Sequence, residues 1–311
     1  MKKTFLIILA SVCISICYAQ SHEAKKMIKK FDASYLKDSK FRYNPTSFWN
    51  TILEKDKNVI AYNKAVEKNN RTLNEAYGAL LYLDNQSSGF EYITTSYNDI
   101  VSRLVDDLGI QGLVYNKPVK VIRDGSINAS MDFKGQLRIN EGCFTQLSYD
   151  ELLAVCAHEM AHFACMHVIM SVWKIAKKQK SNRAWAGVGY SLAIGAMAAS
   201  SVYAGGNGVD TSGLNDLISN PNIIHYVQSY ADESTRKYGY RYSRNEETEA
   251  DIIAYRFMEQ TGHGGNNVIS LLRKLLYVYG DSPNGIYKDH PSHSFRIEVI
   301  SGIQNGYSGK K

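Results

Sequence analysis

A five-residue motif in the middle of this 311-residue chain has the composition of a metal site. His158, Glu159 and His162 spell HExxH, in which the two histidines are four residues apart. Side chains four apart on an α-helix point the same way, so both imidazoles can reach one zinc ion. Glu159 then stands where it can take a proton from a water molecule at the metal. The motif predicts a zinc-dependent peptidase, and its alternative is a structural helix carrying two unrelated histidines.

The residues around the motif predict the helix that it needs. Ser148 and Glu151 have the spacing of a capping box, which places the start of the helix near Tyr149. The apolar residues that follow form one broad stripe: Leu152, Leu153, Val155, Cys156, Met160, Phe163 and Ala164. One unbroken amphipathic helix would therefore position both histidines and Glu159.

A third ligand must come from elsewhere in the chain, because a catalytic zinc usually has three protein ligands and a fourth position for water. The metzincin pattern would need glycine at position 165 and histidine at position 168. The chain has Cys165 and Val168 there, and His167 is one position out of register. The metzincin class is therefore excluded.

A second predicted helix carries acidic candidates for that ligand. The pattern predicts that it starts at Ser243, with Glu246 as its capping partner, and ends at Gly262. Glu247 and Asp251 are four apart and share a face. This suits one carboxylate on the metal and another that orients a ligating histidine. The alternative is a solvated acidic first turn favoured by the helix dipole.

Three motifs in this order resemble a known family. They are HEMAH at 158–162, Glu-x-x-Ala-Asp at 247–251 and HPSHSFRI at 290–297. With them the chain is similar to the HtpX and CAAX prenyl protease family of gluzincin metallopeptidases, family 48 of the metallopeptidases, and especially to its soluble exported members. The resemblance spans about Pro118 to Ile300. It implies an α+β, mostly helical fold with a small β-sheet beside the HExxH helix.

The resemblance also implies a ligand set. One Zn²⁺ per chain would be held by His158, His162 and Glu247. Glu246 and Glu249 are close enough in the sequence to compete with Glu247 as the acidic ligand. We predict Glu247.

The remaining roles implied by the resemblance concern catalysis. Glu159 would be the general base and Asp251 the carboxylate that supports a ligating histidine. His290 and Arg296 are candidates to stabilise the oxyanion, or to hold the C-terminal part of the domain against the metal. His290 could alternatively approach zinc as a fourth ligand and block it.

The segment 135–140 is the predicted substrate-binding strand, starting with Gly135, Gln136, Leu137 and Arg138. In the family the strand before the zinc helix resembles an edge strand that takes the substrate as an extra β-strand. Such pairing uses backbone hydrogen bonds and therefore favours unfolded or extended segments. A buried hairpin strand is the alternative.

The N-terminus predicts export. Lys2 and Lys3 precede an apolar run over residues 5–17, as in a signal peptide that spans residues 1–19. Losing two lysines and no acids lowers the formal net charge from +6 to +4. This modest charge predicts no nucleic-acid partner. We expect a periplasmic enzyme. The family resemblance implies that it acts on unfolded or misassembled envelope polypeptides, with peripheral contact to the membrane or to outer-membrane assembly machinery. An uncleaved membrane anchor is the alternative.

The rest of the chain divides into an N-terminal helical region, 20–112, and a zinc peptidase domain, 113–305. Helices are predicted over 23–31, 48–68, 73–83 and 92–108. Within the peptidase domain, 184–210 is an apolar, glycine-rich insertion, of which 184–204 would form a buried or membrane-touching helix, or a transmembrane span.

Three cysteines remain after removal of the signal peptide: Cys143, Cys156 and Cys165. An odd number cannot pair completely within the chain, so we predict that they are mostly free and packed. Two other classes of function stay open. One is a noncatalytic chaperone or assembly factor that uses the zinc cleft for binding, and the other is a membrane-embedded processing protease.

Overall fold

A computed structural model of the chain describes residues 21–38, 42–74, 76–77, 80, 90–114, 118–181, 233–281 and 291–306. These ranges are mostly helical and contain one small sheet, which confirms the predicted α+β class. The signal peptide, the 184–210 insertion and His290 lie outside the described residues. Within the described residues, no helix is both long enough and apolar enough to cross a membrane.

The elements follow one another along the chain with the helices outnumbering the strands. The α-helices are α1 (His22–Phe31), α2 (Pro45–Lys55), α3 (Lys57–Glu67), α4 (Asn98–Leu108), α5 (Glu141–Gln146), α6 (Tyr149–Ala164), α7 (His167–Ser181), α8 (Glu233–Thr261), α9 (Asn266–Tyr279) and α10 (His293–Gln304). The strands are β1 (Val119–Ile122), β2 (Ala129–Met131) and β3 (Leu137–Asn140). Short 3₁₀ helices cover Ser34–Lys37 and Thr94–Tyr97.

Two of the N-terminal helices differ from their predicted bounds. The single helix predicted over 48–68 is two helices, α2 and α3, because Asp56 between them has an extended backbone. Its side chain accepts hydrogen bonds from Asn58 N at 2.8 Å and Val59 N at 3.2 Å, as a residue at a helix N-cap does. The helix predicted over 92–108 begins instead at Asn98, after the 3₁₀ turn.

The sheet has the order β1, β3, β2, with β1 parallel and β2 antiparallel to β3. The segment predicted as an edge strand is therefore the middle strand, and that prediction is wrong. Gly135 and Gln136 precede the strand in a turn, where Gly135 has a φ of +87° that favours glycine. Leu137 and Arg138 pair on both sides, so their backbone has no open edge for a substrate.

The helix that carries the acidic residues is longer than predicted. It runs from Glu233 to Thr261, so the predicted start at Ser243 is wrong. Its predicted end is confirmed, since Gly262 follows with a φ of +89°. The acidic residues therefore lie in the body of a helix and not in a solvated first turn.

The N-terminal region shares its apolar core with the peptidase region. Phe48 and Trp49 of α2 pack on Phe257 of α8, with the Trp49 and Phe257 rings stacked at 4.8 Å between centroids. Arg256 of α8 makes two hydrogen bonds to the carboxylate of Asp32, both at 2.9 Å. Residues on both sides of position 112 are thus held by one continuous core and by a buried ion pair.

The three cysteines lie in the same interior. Cys143, Cys156 and Cys165 are all unpaired and buried, which confirms the prediction. Burial raises the pKa of each of these thiols. They therefore act as small apolar core residues and not as nucleophiles.

Candidate metal centre

Helix α6 starts where the sequence predicts. The Ser148 hydroxyl accepts from Glu151 N at 3.3 Å, and the Glu151 carboxylate accepts from Ser148 N at 2.9 Å, which confirms the capping box. The same carboxylate also accepts from Ser270 at 2.7 Å and from Lys274 at 2.6 Å, both on α9. These contacts tie the first turn of α6 to α9 and so fix the position of the motif further along α6.

Two helices bring three candidate ligands together. His158 and His162 project from one face of α6, and Glu247 approaches them from α8. The two Nε2 atoms are 3.1 Å apart. Glu247 Oε2 lies 3.3 Å from His158 Nε2, and its Oε1 lies 3.2 Å from His162 Nε2.

This triangle has the dimensions of a zinc site. A zinc ion about 2.0–2.1 Å from three tetrahedral ligands needs donor atoms roughly 3.3 Å apart, and two imidazoles with one carboxylate are a common zinc ligand set. The side chains of His158, His162 and Glu247 keep 12%, 15% and 9% of their surface exposed. No fourth histidine, cysteine or acid joins them within the described residues. The three residues therefore fit the ligand set of a zinc site.

The structure separates the three glutamates that sequence alone left in competition. Only Glu247 faces the two imidazoles of the triangle. Glu246 accepts from the Ser171 hydroxyl at 2.7 and 2.6 Å, and Glu249 lies 3.3 Å from His167. Successive residues on a helix point about 100° apart, so each acid meets a different neighbour.

Asp251 and Arg296 support the site from behind. Asp251 Oδ1 is 3.0 Å from Nδ1 of His158, on the side of the ring away from the triangle. Arg296 of α10 donates to the same carboxylate through Nε at 2.7 Å and Nη2 at 2.6 Å. Arg296 thus holds the C-terminal helix against the metal site, which is one of its two predicted roles. Its bidentate bond is made to Asp251, so the structure offers no support for the oxyanion role.

The pKa values of the two imidazoles are shifted in opposite directions. Burial by itself lowers the pKa of His158, but the carboxylates of Asp251 and Glu247 outweigh it and raise that pKa to about 10. Burial lowers the pKa of His162 to about 4, and its neighbours His158 and His167 add to the decrease. Protonation of His158 and binding of a cation in the triangle would therefore compete, because the nearby carboxylates favour both.

Glu159 follows His158 on α6 and is half-buried. Burial lowers the pKa of Arg296, but Asp251, Glu247 and Glu159 outweigh it and raise that pKa. Glu159 is not one of the three residues of the triangle. It has the position in the sequence that the base of an HExxH peptidase has.

Sequence reasoning missed one residue of this centre. His167 was set aside because it does not fit the metzincin spacing, yet its Nδ1 lies 3.1 Å from Nδ1 of His162. The signal that could have found it is the five-residue spacing from His162 across a helix break. The turn at 165–166 between α6 and α7 makes that spacing a contact.

The comparisons with known proteins agree with this geometry. The family model described as Peptidase family M48 matches residues 94–304, which is well over half of the chain. The chain belongs to peptidase family M48. The resemblance that the three motifs suggested is thereby confirmed, and with it membership of a family of metallopeptidases. The match also reaches back to residue 94, before the segment on which the resemblance depended.

One relative of this M48 chain carries a descriptive name. It is a "putative beta-barrel assembly-enhancing protease" from Vibrio cholerae serotype O1, and it is 25% identical over 207 residues. The matched part is 64% of this chain and 38% of that protein. The chain thus spans well under half the length of this relative.

Proposed function

We propose that this M48 chain is an exported zinc metalloendopeptidase that hydrolyses unfolded or misassembled envelope proteins. The observation that carries the proposal is the triangle of His158, His162 and Glu247, partly exposed and with donor atoms 3.1–3.3 Å apart. The periplasmic location rests on the N-terminal sequence, and the substrate class rests on the family resemblance. We further propose contact with outer-membrane assembly machinery, in line with the words "beta-barrel assembly-enhancing" in the name of the Vibrio relative.

The chemistry follows from the residues around the triangle. A bound zinc ion would supply Lewis acidity, which polarises the scissile carbonyl and makes a water molecule easier to deprotonate. Glu159 accepts the proton of the attacking water and later passes it to the departing amine. Asp251 places its negative charge 3.0 Å from Nδ1 of His158, behind the ring whose Nε2 belongs to the triangle.

The substrate cannot pair with β3, because β3 already has a neighbouring strand on each side. Among the described strands, β2 packs against α6 and has a partner only on its β3 side. Asn140 N donates to Asn128 O at 2.9 Å, and Asp132 N donates to Gln136 O at 3.1 Å. Because an antiparallel ladder alternates, the backbone groups of Ala129 and Met131 then point away from β3. We infer that an extended substrate pairs with this edge.

The edge can be tested by removing one outward donor. Replacing Ala129 by proline deletes its N–H, whereas Ala129→Gly keeps the N–H and removes only a methyl group. We expect Ala129→Pro to lower kcat/KM for an unfolded substrate by roughly tenfold or less, through KM, since one backbone hydrogen bond is lost. Ala129→Gly is expected to bind substrate like the unchanged chain. Equal KM values for the proline and glycine variants would show that the substrate does not pair with β2.

The metal itself is tested by removal and return. The purified chain is expected to contain one zinc per molecule by elemental analysis and to cleave an unfolded protein. A chelator should abolish cleavage, and one equivalent of zinc should restore it, because Lewis acidity is lost and regained. Magnesium is the control and should not restore activity, since it prefers octahedral oxygen ligands. Full activity in the metal-free protein would refute the proposal.

A further inference from the structure

His167 is a buried histidine that the chemistry above does not use. It is the first residue of α7 and only 2% of its surface is exposed. The chain turns just before it, at Met166, which has a φ of +56° in the left-handed region that non-glycine residues rarely adopt. Across this strained turn the rings of His162 and His167 lie 5.0 Å apart between centroids.

Both nitrogens of His167 are engaged. Nδ1 lies 3.1 Å from Nδ1 of His162, and Nε2 lies 3.3 Å from Oε2 of Glu249. Nε2 of His162 belongs to the ligand triangle, so Nδ1 is the nitrogen of that ring left for hydrogen bonding. His162 and His167 therefore meet through the nitrogen that does not face the metal position.

This geometry fits one placement of the protons, in which the ring of His167 is neutral. A carboxylate only accepts hydrogen bonds, so Nε2 of His167 must donate to Glu249. In a neutral ring Nδ1 of His167 is then an acceptor, and it matches a donating Nδ1–H on His162. That proton position leaves Nε2 of His162 with its lone pair directed at the metal. The order of donors is consistent from Glu249 to the ligand triangle.

Glu249 is held in turn by the N-terminal region. Lys57, at the start of α3, lies 3.1 Å from Oε1 of Glu249, the oxygen that does not face His167. Lys57 precedes residue 94, where the family match begins. A segment outside the family match thus restrains the carboxylate that sets the tautomer of His167.

We propose that His167 is a positioning residue for the metal ligand His162, with Glu249 selecting its tautomer. The proposal rests on the proposed zinc site and adds to it a hydrogen-bonded relay of His162, His167 and Glu249. It assigns to the relay a role in metal affinity and in the geometry of the bound metal. His167 touches neither the substrate nor the metal position.

The first test compares zinc affinity among variants by competition with a chromogenic chelator. His167→Ala is expected to weaken zinc binding by about 10- to 100-fold, the usual effect of losing such a partner. His263→Ala is the matched control. His263 is a partly exposed histidine that follows the end of α8, 3.5 Å from Asp150, and it is not one of the residues of the triangle, so its loss should leave zinc affinity unchanged.

A second pair of variants keeps the test valid if the alanine variant does not fold. The amide oxygen of His167→Asn can take the place of Nδ1 and accept from His162, whereas the longer side chain of His167→Gln reaches toward Glu249 instead. We expect His167→Asn to bind zinc about tenfold more tightly than His167→Gln. Cobalt in place of zinc gives a further signal, because its visible absorption bands should shift in His167→Gln and stay unchanged in His263→Ala.

The outcomes separate this inference from the proposed function. An unchanged chain that binds no zinc would refute the metal site and the relay together. An unchanged chain that binds zinc, with equal affinity and equal cobalt spectra for the asparagine and glutamine variants, would refute the relay alone. Tighter binding by the asparagine variant supports the relay.

Discussion

Replacing Glu159 by glutamine is expected to lower kcat/KM for an unfolded protein substrate by about 10²- to 10⁴-fold. Glutamine has nearly the same shape as glutamate but cannot accept the proton of the attacking water. Zinc content should stay at one per chain, because Glu159 lies outside the triangle of His158, His162 and Glu247. The measurement is a steady-state rate of cleavage together with elemental analysis of the same preparation.

This variant also separates the peptidase from a noncatalytic chaperone or assembly factor. A chaperone would keep its protective effect on an unfolded client in the Glu159→Gln variant, whereas a peptidase would lose its only product-forming step. Glu54→Gln is the matched control, since Glu54 is an exposed glutamate on α2 and its neutralisation should change neither rate nor zinc content. Undiminished turnover by Glu159→Gln would rule out this residue as the base.

Replacing Arg296 by methionine is expected to destabilise the fold by about 3–5 kcal/mol. Methionine fills a similar volume, but it leaves the carboxylate of Asp251 buried at 2% exposure without its bidentate partner. The loss should appear as a lower midpoint of urea unfolding. Arg273→Met is the control, because Arg273 is exposed on α9. A loss no larger than that of Arg273→Met would contradict the importance of the pair.

The stability that the Asp251 and Arg296 pair contributes should decrease at acid pH. Burial alone raises the pKa of Asp251, but Arg296 outweighs it and lowers that pKa from 3.8 to about 2. A carboxylate with a lowered pKa in the folded state stabilises the fold above its unfolded pKa, by about 2–3 kcal/mol here. That contribution disappears as the pH falls from about 4 toward 2.

The methionine variant should respond to acid in the opposite sense. Without Arg296, burial acts on Asp251 with less opposition, so the carboxyl group takes up a proton more readily in the folded state. The difference in unfolding free energy between the unchanged chain and Arg296→Met should therefore narrow from pH 7 to pH 3. A constant difference over this range would show that Asp251 is not the group left unpaired.

Local patterns in the sequence determined much of this site. The four-residue spacing of His158 and His162, the capping box at Ser148 and the glycine at 262 each depend on neighbours within one helix. Interactions of this kind are complete before the chain folds back on itself. The helix, its start and the shared direction of the imidazoles could therefore be predicted from the residues alone.

Other features required the assembled fold. Glu246, Glu247 and Glu249 are equivalent by composition, and only the packing of α8 on α6 turns Glu247 to the imidazoles. The middle position of β3 depends on β1, which lies 18 residues earlier in register, and such pairing leaves no local mark on the strand. For this reason the prediction of an edge strand at 135–140 is wrong.

The relay of His162, His167 and Glu249 separates most clearly what the sequence predicts from what only the folded structure shows. The sequence by itself determined that the chain carries an HExxH helix and a downstream acidic helix, because helical periodicity and capping are local. Tertiary structure decided which acid meets the metal position, which strand has an open edge, and that Lys57 reaches Glu249 across 192 residues of chain. Buried polar groups need hydrogen-bond partners, and these partners come from distant parts of the chain. Such contacts therefore cannot be predicted from the residues around any one position.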